Sequence, residues 1–451
     1  MLGYLLRRLL LFVPTLFVVS LLTFWLSERA PGEPVTDRAE AEGITFPAGT
    51  STRKKERVYR ELARRYELDQ PLFYFSLKSA AYPDTLYRIL QRDRRAARSE
   101  MIARTGNWPL TERYFSGITQ RLLAEPETAQ RKTLEQLDRT AQPERIAALL
   151  QRHPEFADIQ NAYDQLIAQP TRGRLYVPGF SWYGTQNRYH QWITGFAGGD
   201  FGVSYEDGRP VSRRIWEALR WTLLLSLSAI VLSYGLSILL GVFMARRRDT
   251  PTDRRLGLFL FVLYSLPTFW IGSMLLVFFT NPTYGMDWFP GIGLGDLPGD
   301  APFWARFRET AGHLLLPILC LTYPSLAFLS RQVRASTGRE LDRLYVQAAR
   351  AHGLPEGRVV WRHAFRNALF PLITILSRVF PAAVAGSIII ELVFNIPGMG
   401  RLTISSIYLQ DYPTLFAIVL LGALLTVLGM LVSDLLYVLA DPRVRLQKSA
   451  G

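Results

Sequence analysis

Three ionisable residues stand inside or at the edge of long apolar runs: Arg378, Glu391 and Asp434. Charge in an apolar medium is costly, so such groups default to a translocation path or to charge pairing within a helix bundle. Arg378 falls mid-run and suits either a carboxylate-bearing substrate or an acidic partner in the bundle, with Glu391 and Asp434 as candidates. Glu391 falls at the end of its run, just before Pro397-Gly-Met-Gly400, and reads more readily as a structural cap. Gly386, Gly422 and Gly429 read as points where helices approach closely. Other chemistry is sparse. The five histidines (His153, His190, His313, His352, His363) never pair at metal-ligand spacing, and Cys320 is the single cysteine. That excludes a disulfide within the chain and a cysteine-based metal site. No convergent catalytic set is visible, so the expectation is a chain with no catalytic and no metal-binding residues. None of the five lysines (Lys54, Lys55, Lys78, Lys132, Lys448) follows Gly and precedes Ser or Thr. The chain therefore lacks the Gly-rich loop that cradles ATP phosphates, and nucleotide-driven work requires another subunit.

The elements that would position these groups are membrane spans. Hydrophobic residues make up 49% of the chain and charged residues 20%, so an apolar part and a water-exposed part coexist. A helix crosses a bilayer with roughly 20 mostly apolar residues. Six segments approach that length: Leu9–Leu26, Thr222–Met244, Leu256–Phe279, Leu314–Ser330, Asn367–Ile390 and Thr414–Ala440. The second and third carry no charge. The fourth holds Pro317 and Pro324, which a bundle tolerates when neighbours satisfy the freed carbonyls. The first lacks a clear small-residue cleavage site, Ser27–Pro34 reading SERAPGEP, so it is expected to remain as an anchor.

The net charge of +14 has two possible sources, a nucleic-acid surface or cytoplasmic loops. With the N-terminus inside, eighteen Arg and Lys fall in inside segments and three in the two short outside loops. Positive residues resist translocation, so both termini are expected in the cytoplasm, and nucleic acid is excluded as a partner. The long outside segment is nearly balanced in charge from Ala81 to Asn187, with 15 basic and 12 acidic residues. Unstructured loops are rarely so long, so a folded insert is expected at about 80–187. Helical periodicity runs through Thr111–Ala124, Thr128–Thr140 and Pro143–Gln169, with Pro143 and Pro154 as helix starts. The aromatic, Gly- and Pro-rich Leu175–Gly184 suggests a loop or short strands. The insert reads as a small helical cap that also contributes to docking an extracytoplasmic partner.

Between the fourth and fifth spans, 331–366 is polar but patterned. Leu341, Leu344, Tyr345, Ala348 and Ala349 form one face of a short helix lying against something. Gly353 can end that helix in the left-handed conformation, and Pro355 can open another. Two short helices joined at Gly353 would form a rigid cytoplasmic knob, with Arg350, Arg358, Arg362 and His363 available to partner carboxylates or lipid phosphates.

Here the residues resemble a family. Tyr345-Val-Gln-Ala-Ala-Arg-Ala-His-Gly353-Leu354, then Arg362-His-Ala-Phe-Arg-Asn-Ala-Leu369 and Pro371, resembles the EAA loop of binding-protein-dependent ABC importers. It is most similar to the first-permease branch of the dipeptide, oligopeptide and nickel group. Pro31-Gly-Glu-Pro34, Leu68-Asp-Gln-Pro-Leu72, Gly199-Asp-Phe-Gly202, Pro397-Gly-Met-Gly400, Asp411-Tyr-Pro413, Asp434-Leu-Leu-Tyr437 and Asp441-Pro-Arg443 match further family blocks in order. Gln347, His352 and Glu67 depart from the usual pattern. The likeness covers 1–75 and 188–445; the insert stands outside it.

The resemblance implies an all-α integral membrane protein, a type I importer permease of six transmembrane helices with a mainly helical extracytoplasmic insert. Its parts would be the first helix (1–27), an extracytoplasmic region (28–216), a five-helix domain (217–440) holding the coupling loop 331–366, and a cytoplasmic tail (441–451). Tyr345, Ala348, Ala349, Gly353, Leu354, Arg362, His363, Arg366, Asn367 and Pro371 would form the ATPase-coupling loop. The implied partners are a second homologous permease, two ABC ATPase subunits, an extracytoplasmic solute-binding protein and membrane lipid, in a bacterial inner membrane. ATP and magnesium would be used by the partners, and no cofactor is expected on this chain. Peptides are the implied cargo, with nickel or another small solute as the alternative, and an ion-coupled carrier as the rival class.

Overall fold

The computed structural model describes residues 2–30, 35, 39, 43–44, 52–124, 128–295, 297–298, 300–376 and 386–440, without the side chains of 2–9, 11, 52, 53, 55, 128 and 433–440. Its contacts gather the chain into two units, one of residues 24–208 and one of 1–23 with 209–451. The first helix, α1 (Leu2–Arg29), contributes its last turns to the former.

The unit 24–208 is mainly helical, with one large apolar core over 97–166 and smaller apolar clusters around Leu62 and Leu86. Its elements are α2 (Thr52–Arg65), β1 (Phe75–Ser79), α3 (Arg92–Thr105), α4 (Trp108–Leu123), α5 (Thr128–Asp138), α6 (Pro143–Gln151), α7 (Ala157–Ala168), β2 (Pro178–Trp182) and α8 (Arg188–Ala197). Each helix expected in the insert is present. The boundaries follow local chemistry: Asn107 caps α4 by accepting from the Leu110 amide, and Pro109 occupies its first turn. The run expected over Pro143–Gln169 divides into α6 and α7, with Pro154–Phe156 as a 3₁₀ turn between them. Tyr114, Phe115, Ile118, Leu134, Leu137, Ile146, Ile159 and Leu166 are all essentially inaccessible in the shared core. Two arginines meet Asp138 there: Arg98 reaches it at 2.9 Å and stacks over Phe115, 4.2 Å from the ring centroid, and Arg94 reaches it at 2.5 Å. Burial lowers the Arg98 pKa while Asp138 opposes the shift. The short strands pair antiparallel, Phe75 opposite Trp182 and Ser79 opposite Pro178, so the chain departs and returns at one point.

The second unit carries α9 (Val211–Arg246), α10 (Pro251–Ser265), α11 (Thr268–Thr280), α12 (Phe303–Leu341), α13 (Leu344–Ala351), α14 (Glu356–Arg358), α15 (Phe365–Ala368), α16 (Ile388–Val393), α17 (Met399–Tyr408) and α18 (Tyr412–Ala440). Among the described residues, α1, α9, α12 and α18 are each long and apolar enough to cross a membrane. Large apolar side chains point outward, including Val231 at 71% exposure and Leu239 at 59%, as expected where lipid is the solvent.

The charge-free run Leu256–Phe279, expected as a span, is not one continuous helix. It breaks between α10 and α11, which meet at 93°. Pro267 is the cause: it holds Leu266 in an extended conformation and cannot donate a backbone hydrogen bond. The Tyr323 hydroxyl donates to the Leu266 carbonyl at 2.8 Å, satisfying the break from α12. Conversely, α12 is longer than expected, running unbroken past Pro317 and Pro324 for 39 residues. At 1.5 Å per residue that is about 58 Å, well beyond a hydrocarbon core of about 30 Å. Helices α9 and α12 pack closely: a Cβ on Gly241 would lie 2.7 Å from the Ser330 carbonyl oxygen. The middle of the expected fifth span, 377–385, lies outside the described residues, as do Pro31–Pro34 and the tail from Asp441.

Candidate coupling surface and buried polar cluster

The loop after α12 folds into two short helical pieces. α12 ends at Leu341, two residues intervene, and α13 begins at Leu344 with Arg343 extended as its cap. Gly353, at φ +74°, takes the left-handed conformation that closes α13, and Pro355 caps α14. α14 then passes into a π-helical turn, Val359–Ala364, and on into α15. π turns are rare and recur at functional sites.

The interior of this knob is apolar. Val346, Ala349, Val359, Val360, Ala364, Phe365 and Ala368 are buried with Val242 and Ala245 of α9 and Leu329, Val333 and Leu341 of α12. Leu354 packs against the same cluster. The knob is thus fixed to two membrane helices.

The five residues read as one face divide between two surfaces. Leu341 and Ala349 turn inward, whereas Leu344 at 82% exposure, Tyr345 at 40% and Ala348 turn to solvent. The helix break at Asp342–Arg343 resets the phase, so one periodicity cannot run from 341 to 349. The outward stripe has a polar frame. Tyr345 donates to Glu340 Oε2 at 2.6 Å and accepts from Asn367 Nδ2 at 2.9 Å. Arg350 pairs with Glu356 through Nη2 and Nε, at 2.8 and 3.2 Å, tying α13 to α14 across Gly353. That pair keeps the Glu356 carboxyl below its ordinary range. His352 Nδ1 lies 2.7 Å from the Ala348 carbonyl. Arg362 and Arg366 are exposed, His363 and Pro371 partly buried.

Glu391 is 1% exposed and bound by backbone. Its Oε1 accepts from the Thr222 hydroxyl at 2.9 Å and its Oε2 from the Arg401 amide at 3.0 Å. The Thr222 oxygen in turn accepts from the Met399 amide at 2.8 Å. Carboxylate and hydroxyl together satisfy the free amides that open α17. The glycines around them leave room for this: a Cβ on Gly386 or Gly398 would lie 2.6 or 2.5 Å from a Glu391 oxygen. Gly386 also sits at φ +80°. Gly422, by contrast, has open space where a Cβ would go, so it meets no close helix neighbour among the described residues. Arg378 and the Asp434 side chain lie outside the described residues.

Two ion pairs went unread in the sequence. Arg214, near the start of α9, reaches Asp411 at 2.9 Å, their side chains 9% and 0% exposed. Asp411 also accepts from the Thr414 hydroxyl at 2.6 Å, which ties it to the first turn of α18. Arg334 of α12 holds Asp253 of α10 through two of its guanidinium nitrogens, Nε and Nη2, with Nε at 2.6 Å. The Thr250-Pro-Thr-Asp253 sequence does carry a helix-start signal, and the Thr250 side chain accepts from the Asp253 amide. Nothing in it indicates a partner 81 residues away.

Residues 237–446 match the family model for the binding-protein-dependent transport system inner membrane component. The chain belongs to that family, as an all-helical, multi-pass membrane permease. Among its relatives is the oligopeptide transport system permease AppB of Bacillus subtilis, 35% identical over 258 residues, which are 57% of this chain and 79% of AppB. A probable peptide ABC transporter permease of Sinorhizobium fredii is 34% identical over 57% of this chain and 80% of its own length. The dipeptide permease DppB of Lactococcus lactis is 32% identical over 55% of this chain and 77% of its own.

Proposed function

We propose that this chain is a membrane-spanning subunit of an ABC importer for peptides, driven by ATPase subunits that grip the knob of α13 to α15. The observation that carries this reading is the exposed stripe Leu344, Tyr345 and Ala348 on a rigid knob whose interior is continuous with α9 and α12. Both termini and the knob face the cytoplasm. A second, homologous permease completes the pathway, two ATPases occupy the cytoplasmic side, and a solute-binding protein delivers cargo from outside.

Force enters at the knob and leaves along α12, whose length spans the bilayer and the cytoplasmic projection without a break. When the ATPases close on nucleotide, the stripe moves with them, and α12 and α9 rotate as one body. The bundle then alternates between outward- and inward-facing states, a bistable rigid-body change. The break between α10 and α11 gives the bundle a point at which the lower and upper halves of one span turn independently. Arg378 lines the path or pairs in the bundle, while Glu391 holds the α16–α17 corner. The names of AppB and DppB support peptides as cargo.

Uptake of a labelled oligopeptide by cells lacking this chain tests the reading. Restoring the chain restores uptake, and inactivating the P-loop lysine of the co-expressed ATPases abolishes it. Uptake that survives ATPase inactivation but collapses with the ion gradient would establish the ion-coupled carrier instead.

A further inference from the structure

The two-stranded ladder in the unit 24–208 is built inside out. Opposed and alternating positions share a face, so Phe75, Leu77, Phe180 and Trp182 form one surface and Ser76, Lys78 and Ser181 the other. A sheet in water ordinarily covers its apolar face and shows its polar one. Here Leu77 is 72% exposed, Trp182 67%, Phe180 64% and Phe75 44%. The polar face is instead held against the unit: Ser76 hydrogen-bonds the Tyr183 hydroxyl at 2.9 Å, and Ser181 bonds Asp84. Burial of Lys78 pushes its pKa down. Phe75 and Phe180 stack at 6.0 Å across the ladder, so the patch is continuous. Beside it stand Tyr176, 87% exposed, and the exposed Arg174.

Its place along the chain points to what covers it. Within this unit, Phe24 of α1 meets Tyr189 at 5.3 Å, Tyr189 meets Phe73 at 5.3 Å, and Phe73 meets Phe75 at 5.5 Å. Arg188 pairs with Glu28 at 2.7 Å. The ladder is therefore fastened by aromatic contacts to the end of α1, a helix long and apolar enough to cross a membrane, where the polar headgroup layer would begin. Trp, Tyr and Phe flanked by Arg is the composition that partitions into that layer. We infer that the Phe75–Leu77–Phe180–Trp182 face is a membrane anchor, seated in the lipid interface and fixing the insert against the bilayer.

The test places an environment-sensitive NBD fluorophore at Phe180→Cys, and separately at Leu77→Cys, in a Cys320→Ala background. The full chain is reconstituted in vesicles of phosphatidylcholine and phosphatidylglycerol. Both labels are expected to emit to the blue of a label at the exposed Glu112→Cys. They should be quenched several-fold more by lipids bearing a nitroxide near the headgroup, and be shielded from aqueous iodide. Iodide quenching equal to that at position 112, with no lipid quenching, would overturn the proposal. So would labels that escape lipid quenching and become shielded only when a solute-binding protein is added, which would make the patch a protein-docking face.

Discussion

Asn367 Nδ2 donates a hydrogen bond to the Tyr345 hydroxyl at 2.9 Å, joining the two halves of the knob on its solvent side. The apolar cluster beneath already joins them on the inner side. The stripe that meets a partner is therefore held from both directions, which suits a part that must transmit force without bending.

Tyr345→Phe keeps the ring in the stripe and removes the hydroxyl that serves Glu340 and Asn367. A net hydrogen bond is worth about 1 kcal/mol, so the knob should loosen without unfolding. Peptide uptake is expected to fall several-fold while ATPase copurification persists. Equal loss of both would show that the tyrosine serves binding alone.

Gly353→Ala asks an L-residue to hold φ +74°, at a cost of about 1 kcal/mol. No atom obstructs the added methyl group. The expected result is a modest decline in uptake, far milder than that of a bulky side chain at the same position. Identical losses for Ala and Trp would place the defect in the backbone and not in the contact surface.

Arg214→Met leaves Asp411 buried without its cation, which costs roughly 3–5 kcal/mol and should lower the thermal midpoint in detergent by several degrees. Arg214→Met with Asp411→Asn should recover part of the loss, because the uncompensated charge is gone. A double variant no better than the single would show that Asp411 acts mainly through its bond with Thr414 in the first turn of α18.

Thr222→Val strips the Met399 amide and Glu391 Oε1 of one shared partner. A buried polar group left unsatisfied costs about 1–3 kcal/mol, so stability should drop by that amount. Gly398→Ala should be worse, since its Cβ would fall against the Glu391 carboxyl carbon. Thermal unfolding of the purified chain reads both. A Gly398→Ala protein as stable as the native one would contradict the packed cradle.

Much of this was legible in the sequence because it depends on local chemistry. The insert helices follow from spacing and from Pro143 at a helix start, Pro154 opens the 3₁₀ turn that leads into α7, and Gly353 and Pro355 announced the knob. Longer-range geometry was not legible. Leu341 and Leu344 look like one face until the break at Asp342–Arg343 is seen to shift the phase. Pro267 stood in plain view within a charge-free run, yet a single proline signals a kink and does not specify a 93° turn. Arg214 and Asp411 lie 197 residues apart, and Arg334 and Asp253 lie 81 apart, so pattern alone could not pair them. The outward-facing aromatics of β1 and β2 defeat the usual reading for the same reason: alternation gives two faces but not which one is covered.

Copurification tests the central claim most directly. The chain, tagged and co-expressed with its ATPase subunits, is extracted gently and compared with Gly353→Trp, which puts a bulky ring at the exposed bend between α13 and α14. The native chain should retain a protein carrying a G-x-x-x-x-G-K-[ST] loop, and Gly353→Trp should lose it while keeping its own fold and membrane insertion. ATPase retention together with unchanged peptide uptake in Gly353→Trp would contradict coupling through this knob.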